Sequence, residues 1–116
     1  MIEQRNLFTV SDQDFEARVL NSTSPVIVDF TAEWCPPCRA LEPVYDKLSQ
    51  EYIGKLSFAR MDGDDNPQTI MKLGIMGFPT MIIFKDGKVL DRIVGFYPAR
   101  LKRSIDRILA ENGVAV

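Results

Sequence analysis

Residues 26–31 form a run of β-branched and aromatic side chains, interrupted by Asp29, that limits the folds open to this chain. The apolar residues follow one another instead of alternating, which is typical of a strand covered on both faces. A helical pattern follows as far as about Tyr52, and residues 56–61 predict a second strand. Because a connection of helix length separates the two strands, we expect them to be parallel, with a right-handed crossover, in a protein of the α/β class.

The rest of the chain continues this alternation of strands and helices. Strands are predicted at residues 7–10, 80–84 and 89–94, and the last two are joined around Asp86-Gly87. Helices are predicted at residues 12–20, with Ser11 as N-cap, and from Pro98 to about Glu111. A short helix with Ile70, Met71 and Leu73 follows the cap Asn66 and Pro67, and Gly74 ends it. The predicted order is βαβαβαββα, a mixed sheet with helices on both faces. Sites in open α/β sheets gather beyond the carboxyl ends of parallel strands, so the turn after residue 31 is a candidate site.

Composition excludes several classes of function. The chain has 116 residues, of which 46% are hydrophobic, so we expect a single domain over residues 1–116 with one core. A net charge of −2 argues against binding to nucleic acid, since such proteins carry a strongly basic surface. The sequence has no histidine and two cysteines, too few for the usual four-ligand zinc site or for a small domain held together by disulfides.

The sequence contains no targeting or membrane signal that we recognise. The first six residues lack the apolar stretch of a signal peptide, and no run approaches the roughly 20 apolar residues that cross a bilayer. We therefore expect no membrane segment and a cytoplasmic location. A secreted form from which a leader has been removed stays open as an alternative.

Cys35 and Cys38 lie at the predicted start of the helix that follows residue 31. Positions i and i+3 of a helix face the same way with Cβ atoms roughly 5–6 Å apart, and a disulfide needs about 3.5–4.5 Å, so a modest adjustment interconverts dithiol and disulfide. Unpaired N–H groups and the dipole at a helix start stabilise a thiolate. We expect Cys35, the outer cysteine, to attack, and Cys38, one turn inside, to resolve.

Two other interpretations of the cysteine pair need weighing. The cysteines could be small buried hydrophobic residues, or they could belong to a metal site, for which only a dimer would supply enough ligands. The position of the pair at a strand-to-helix turn, next to Trp34 and with no other cysteine in the chain, favours redox chemistry. We therefore expect no metal.

Around Trp34-Cys35-Pro36-Pro37-Cys38-Arg39 the sequence resembles the thioredoxin family. Further segments fall in the family's order and near its spacing: Val28-Asp29-Phe30, Ala32-Glu33, Pro43, Asp65-Asn66-Pro67, Gly77-Phe78-Pro79-Thr80, residues 84–87 and Val94-Gly95. The resemblance covers residues 7–111 and is to a stand-alone member with a Cys-Pro-Pro-Cys active site. It implies the thioredoxin fold, a central mixed five-stranded sheet flanked by four helices. In that fold the strand at 80–84 is antiparallel to its neighbours, which brings Pro79 and Gly95 to the same edge as Cys35.

The resemblance implies a thiol–disulfide oxidoreductase of the electron-carrier type that reduces disulfides in client proteins. The Cys35 thiolate would attack the client disulfide, and Cys38 would release the product and leave the pair oxidised. A thioredoxin reductase or an equivalent donor would restore the dithiol. No bound cofactor is implied, and we expect a monomer.

Asp29 matches the family's buried aspartate. Burial alone predicts a raised pKa for this carboxyl and is compatible with a purely structural role, whereas the resemblance favours transfer of the Cys38 proton to Asp29. Arg60 stands where many members carry a lysine paired with that aspartate, and we expect it to hold Asp29 ionised more firmly than a lysine would. The alternative for Arg60 is an exposed surface cation.

The resemblance also implies an apolar rim around Cys35 for client binding. Its members are Trp34, Gly77, Phe78, Pro79, Gly95 and Phe96. Pro79 would follow a cis peptide bond, and Phe78 would offer backbone groups to an extended client segment. Plain core packing is the alternative for Trp34 and Phe96, and an ordinary turn proline is the alternative for Pro79.

The active-site dipeptide departs from the usual family pattern. Pro36 stands where the family usually has glycine, so one backbone N–H near the Cys35 sulfur is missing and the turn is stiffer. We expect Pro36 and Pro37 to tune the redox potential. Thr31 replaces a common tryptophan and Gly63 a usual apolar residue, and both changes bear on client preference.

Three other functions stay open at this stage. The same fold could act as an oxidase or isomerase in an oxidising compartment, or as a binding module that uses only the apolar rim. It could also bridge an iron–sulfur cluster between two copies through Cys35 and Cys38.

Overall fold

Five strands pair into one mixed sheet in the computed structural model of the protein, which describes residues 5–115. They are β1 (Leu7–Thr9), β2 (Val26–Thr31), β3 (Ser57–Asp62), β4 (Thr80–Lys85) and β5 (Lys88–Val94), in the spatial order β1-β3-β2-β4-β5. As predicted, β3 runs parallel to β2, and β4 runs antiparallel to both of its neighbours. The ends of the predicted 1–116 domain, residues 1–4 and 116, lie outside the described residues.

Helical segments cover both faces of this sheet. They are a π-helical segment (Glu16–Leu20) and three helices, α1 (Pro36–Glu51), α2 (Pro67–Leu73) and α3 (Pro98–Glu111). Within residues 5–115 no helix combines the length and the apolar character that crossing a membrane requires.

The predicted helix over residues 12–20 is shorter than expected, and its first residues form a turn. The reason is that Asp12 is engaged elsewhere: its carboxylate accepts the backbone N–H of Gln68 at 3.2 Å and of Thr69 at 2.9 Å. The side chain of Asn66, the expected cap of α2, instead accepts the N–H of Asp12 at 2.8 Å. The start of α2 is therefore capped by a residue distant in sequence.

Two apolar layers explain the continuous run in β2, whose six residues are all buried. Ile27 points into the layer beneath α1 and α3, where it joins Leu41 and Ile105. Val28 and Phe30 point into the opposite layer, beneath the π-helical segment and α2. Because side chains alternate along a strand, Asp29 shares its face with Ile27 and looks toward α1.

The β4–β5 hairpin turns at Asp86-Gly87, as predicted, and both residues have positive φ angles of 53° and 78°. Two consecutive positive φ angles give the twist that matches antiparallel strands. At the other end of the hairpin the N–H of Gly95 donates to the carbonyl oxygen of Pro79 at 2.8 Å. This bond holds the end of β5 to the start of β4, at the sheet edge where β2 ends.

Candidate active site

The cysteine pair lies where the chain leaves β2 and enters α1. Cys35 is the N-cap of α1, with an extended backbone (φ −96°, ψ 109°), and Cys38 lies in the first turn. The two prolines between them occupy the first two helical positions, where a missing N–H disturbs no helical hydrogen bond. The pair is therefore at the carboxyl end of a parallel strand and at a helix start, as the sequence predicts.

Cys35 and Cys38 form a disulfide, with their Cα atoms 5.3 Å apart. The N–H of Cys38 donates to the Cys35 sulfur at 3.3 Å, and the N–H of Arg39 donates to the Cys35 carbonyl oxygen at 3.2 Å. Proline has no N–H, so Pro36 and Pro37 offer none at the helix start. The Cys35 sulfur thus has one backbone donor from the first turn of α1.

Both cysteines are covered more completely than we expected. Cys35 is 3% exposed and Cys38 is 1% exposed, so Cys35 is the outer residue by a small margin only. Ala32 and the Phe78 ring pack against the pair and account for this cover. The small accessible part of the disulfide therefore belongs mainly to Cys35.

Phe78 and Pro79 form the wall opposite the disulfide. The Cys35 sulfur lies 3.5 Å from the Phe78 carbonyl oxygen, to which a thiol at this position would donate. The Phe78–Pro79 peptide bond is cis, as the resemblance implies.

Trp34 makes the exposed part of the rim. Its ring meets that of Phe78 edge-on, with centroids 6.1 Å apart, and is 68% exposed. Its Nε1–H donates to Asp64 Oδ2 at 2.7 Å, which holds the ring in place beside Phe78. Core packing is therefore excluded as the role of Trp34.

The remaining rim residues divide into two groups. Gly77 is exposed next to Phe78, and Gly95 is bonded to Pro79. Phe96, in contrast, packs against the core beneath α1 and α3 and is absent from the cluster around the cysteines. The residues on either side of Gly95 and Phe96, Val94 and Tyr97, are exposed instead.

Sequence reasoning missed three exposed apolar side chains. Val94 and Tyr97, which flank Gly95 and Phe96, are 66% and 58% exposed, and Met76, next to Gly77, is 98% exposed. Their proximity in sequence to predicted rim residues was the available signal. Met71 is also 81% exposed, although it was counted with the apolar residues of α2.

Asp29 is fully buried, and neither of its carboxylate oxygens has a hydrogen-bond partner among residues 5–115. Burial raises the pKa of this carboxyl to about 7, and the nearby Arg60 opposes the rise without cancelling it. A buried aspartate with a raised pKa agrees with the sequence prediction. A carboxyl with this pKa exchanges its proton near neutral pH.

Arg60 lies directly opposite Asp29 in the β2–β3 register. Its Nε is 3.8 Å from Asp29 Oδ2, which is an ion-pair distance and too long for a hydrogen bond. Its side chain is 26% exposed, and its guanidinium carbon lies 5.7 Å from the Tyr45 ring centroid. Arg60 is thus a partner of Asp29 and not a free surface cation.

Comparison with known proteins agrees with this arrangement. The family model described as Thioredoxin matches residues 6–107. The chain is 47% identical to the thioredoxin of Synechocystis over 77% of its own length and 83% of that protein's. It is 41% identical to the chloroplastic Thioredoxin M4 of Arabidopsis thaliana over 88% of its own length and 53% of that protein's.

A solved structure gives the same result for the fold. The crystal structure of the Malassezia sympodialis thioredoxin superposes with a TM-score of 0.82 at 30% identity, covering 92% of this chain and 94% of that one. The superposition agrees with the five-stranded sheet, and the residues matched by the family model include the cysteine pair at the start of α1. The chain belongs to the thioredoxin family, and it is a thiol–disulfide oxidoreductase that exchanges dithiol and disulfide through Cys35 and Cys38.

Proposed function

We propose that this chain is a thioredoxin with a Cys-Pro-Pro-Cys active site that reduces disulfides in client proteins and acts as a single domain and a monomer. The observation that carries the proposal is the Cys35–Cys38 disulfide at the N-cap of α1, beside the carbonyl oxygen of Phe78. A disulfide between these two residues is the product of one round of client reduction. The form that acts on the client is therefore the dithiol, in which Cys35 and Cys38 are both reduced.

Cys35 is the nucleophile in this proposal. Its thiolate forms a bond to one client sulfur, the client S–S bond breaks, and the other client sulfur leaves as a thiolate. The N–H of Cys38, 3.3 Å from the Cys35 sulfur, and the positive end of α1 support a thiolate at this position. Cys35 is also the more exposed cysteine of the pair, although only slightly.

Cys38 completes the exchange, and Asp29 is its proton acceptor. The Cys38 thiol loses its proton, the resulting thiolate attacks the Cys35 sulfur, and the bond between Cys35 and the client breaks. Two electrons have then moved to the client, whose two thiolates take up protons from solvent to become thiols. The support for Asp29 is that it is a buried carboxyl with a pKa of about 7 on the strand face that looks toward α1.

Client binding uses the rim around the disulfide. Trp34 offers an exposed ring, and the backbone at Gly77 and Phe78 offers hydrogen-bonding groups to an extended client segment. Pro79 and Gly95 hold this backbone in position through their hydrogen bond. Phe96 has no part in this proposal, because its side chain packs against the core.

The partners follow from the chemistry. Disulfide-containing client proteins consume electrons, so a thioredoxin reductase or an equivalent donor must supply them. The sequence charge of −2 supports no role with nucleic acid. We propose a reducing compartment such as the cytoplasm, because the Cys35–Cys38 pair can persist there as the dithiol that reduces clients.

The test is reduction of insulin disulfides with dithiothreitol as donor. The protein should accelerate precipitation of the insulin B chain over dithiothreitol alone, and Cys35→Ser should abolish the acceleration while the circular dichroism spectrum stays unchanged. Equal rates with and without the protein would contradict the proposal.

A measured redox potential separates the reductase from an oxidase or isomerase. General reference values are about −270 mV for thioredoxin and about −180 mV for protein disulfide isomerase. A potential near the second value would contradict the reductase direction and leave the exchange chemistry intact.

A further inference from the structure

The Phe78 ring occupies the space in which residue 63 would carry a side chain. A Cβ atom built on Gly63 would lie 2.5 Å from Phe78 Cε1 and 3.3 Å from Ile70 Cδ1, and it would also overlap Phe78 Cζ. The backbone does not require glycine here, because Gly63 lies outside the positive-φ region that Gly74 and Gly95 adopt. The absence of a side chain at residue 63 is therefore explained by the ring that fills its place.

Gly63 is also held next to the active site. Its N–H donates to the carbonyl oxygen of Thr31 at 2.8 Å, and Thr31 is the last residue of β2 before the turn to Cys35. The Phe78 ring that rests on Gly63 packs both against the cysteine pair and against the core layer beneath α2. Gly63 thus sets where the ring lies relative to the disulfide.

A mostly apolar groove lies beside the ring. Its lining contains one carboxylate, that of Asp64, and is otherwise formed by Gly63, Pro67, Ile70, Met71, Ile75, Met76 and Phe78; we call it the methionine groove. Ile70 and Ile75 are partly buried and pack against the core, whereas Met71 and Met76 are 81% and 98% exposed. Methionine side chains are flexible and polarisable, and they adapt to differently shaped apolar partners.

The methionine groove is continuous with the place where the client must lie. Phe78 contributes its carbonyl oxygen to the surroundings of the Cys35 sulfur and its ring to the groove. A client segment attached to Cys35 in the mixed disulfide therefore passes along this ring. Scattered exposed apolar residues are normal on protein surfaces, but a contiguous group beside the reacting atoms marks a binding surface.

We propose that Gly63 is a positioning residue for client selection: it seats the Phe78 ring so that the methionine groove receives an apolar side chain next to the client's reacting cysteine. The occupant is the client polypeptide itself, in a segment with aliphatic or aromatic residues beside its disulfide. This inference rests on the proposed reduction of client disulfides and adds to it a preference among clients.

The experiment compares two synthetic substrates. Each is a symmetric disulfide-linked dimer of one eight-residue peptide, with the cysteine flanked by leucines in the first and by serines in the second. Pre-reduced protein is mixed with each dimer in a single turnover, quenched in acid and resolved by chromatography, which gives a half-saturating concentration and a maximal rate. Bis(2-hydroxyethyl) disulfide, which has no flanking residues, reports the basal exchange.

For the unchanged protein we expect a half-saturating concentration about tenfold lower for the leucine peptide, which partial burial of one leucine side chain supplies. Gly63→Ala pushes the ring away and should raise this concentration to that of the serine peptide. The readout is the ratio of the two half-saturating concentrations, and the rates of each variant are compared with its own exchange on bis(2-hydroxyethyl) disulfide. The double variant Gly63→Ala/Phe78→Leu makes room for the new methyl group and should restore most of the preference.

A matched pair of surface variants tests the rest of the groove. Met76→Ser should reduce the preference about threefold, since it removes an apolar lining side chain. Ile53→Ser removes another exposed apolar side chain, 46% exposed and near the opposite end of α1, and should leave the preference unchanged.

Three results would overturn the inference. The first is equal half-saturating concentrations for the two peptides with the unchanged protein, and the second is an undiminished preference in Gly63→Ala. The third is a loss of exchange rate in Gly63→Ala that is equal on all three disulfides, which a merely structural role would produce. If Gly63→Ala fails to fold, Phe78→Ser decides: loss of the preference supports the inference and retention overturns it. Failure of the unchanged protein to reduce any of the disulfides, in contrast, would contradict the proposed function itself.

Discussion

Arg60 Nε lies 3.8 Å from Asp29 Oδ2, and no hydrogen bond joins the two side chains or satisfies either Asp29 oxygen within residues 5–115. The attraction between them is therefore electrostatic only, and it does not compensate for removing the carboxylate from water. Burial dominates, and the pKa of Asp29 is raised to about 7. The site thus holds a proton acceptor at a cost in stability that depends on pH.

Asp29→Asn should stabilise the protein above neutral pH and have little effect at pH 4. The pKa of Asp29 is about 7 in the folded chain against an ordinary value of 3.8, so the unfolded chain releases this proton first as the pH rises. The free energy of unfolding therefore falls between about pH 4 and pH 7 and stays reduced above. The shift corresponds to on the order of 4 kcal/mol at pH 8.

Urea unfolding of the disulfide form at pH 4 and pH 8 measures this effect. The free energies of unfolding of Asp29→Asn and of the unchanged protein should agree at pH 4 and diverge at pH 8. An equal difference at both pH values would mean that the substitution acts through packing and not through the charge.

Removing the cation should raise the pKa of Asp29 further. Arg60→Met keeps an apolar stem against Tyr45 but takes away the charge that favours the carboxylate, whereas Arg60→Lys keeps a charge. The measurement is the NMR chemical shift of the Asp29 carboxyl carbon through a pH titration. We expect its midpoint to lie at higher pH in Arg60→Met than in the unchanged protein. In Arg60→Lys the midpoint should lie between those of Arg60→Met and of the unchanged protein.

A titration midpoint that does not move in Arg60→Met would show that the guanidinium contributes nothing to the ionisation of Asp29. The effect of Arg60 would then be confined to packing over Tyr45.

The two cysteines should be distinguishable by what their serine variants trap. In Cys38→Ser the Cys35 thiolate still attacks, but nothing resolves the product, so a disulfide-linked complex with the client accumulates. In Cys35→Ser no complex should form, since the N-cap position and the N–H that supports a thiolate belong to residue 35, and Cys38 is the less exposed cysteine. Non-reducing electrophoresis and mass spectrometry after incubation with oxidised insulin measure the yield, and a complex of equal yield in Cys35→Ser would reverse the assigned roles.

Much of the fold could be predicted because local patterns and packing agree. The continuous run in β2, the Asp86-Gly87 turn and the apolar stripe of α3 each specify an element that the structure contains. The turn at residues 12–14 could not be predicted, because it depends on hydrogen bonds that the Asp12 carboxylate accepts from N–H groups at the start of α2, which only the folded chain brings near.

The active site likewise has features that the sequence predicts and features that it does not. The chemistry of Cys35 and Cys38 follows from their spacing and from the helix that begins between them. The place of Phe96 in the core does not follow from spacing, because it depends on which of several neighbouring apolar residues faces α3. The match between Gly63 and the Phe78 ring is likewise a contact between distant parts of the chain.

Pro36→Gly should make the Cys35 thiol more reactive. The substitution returns one backbone N–H to the first turn of α1, where the Cys38 N–H is at present the one backbone donor to the Cys35 sulfur within residues 5–115. A hydrogen bond to a charged group contributes roughly 1.5–3 kcal/mol, so we expect the pKa of the thiol to fall and the rate of alkylation by iodoacetamide at pH 6 to rise about tenfold. Because the reduced form is stabilised, the redox potential should become more oxidising.

Pro36→Ala is the matched control, since it restores the N–H without the added flexibility of glycine. Equal increases in the two variants would assign the effect to the new donor. An increase in Pro36→Gly alone would assign it to the backbone freedom of the turn, and the proline would then act through stiffness. No increase in either variant would mean that the returned N–H points away from the sulfur, which would remove Pro36 from the residues that tune this site.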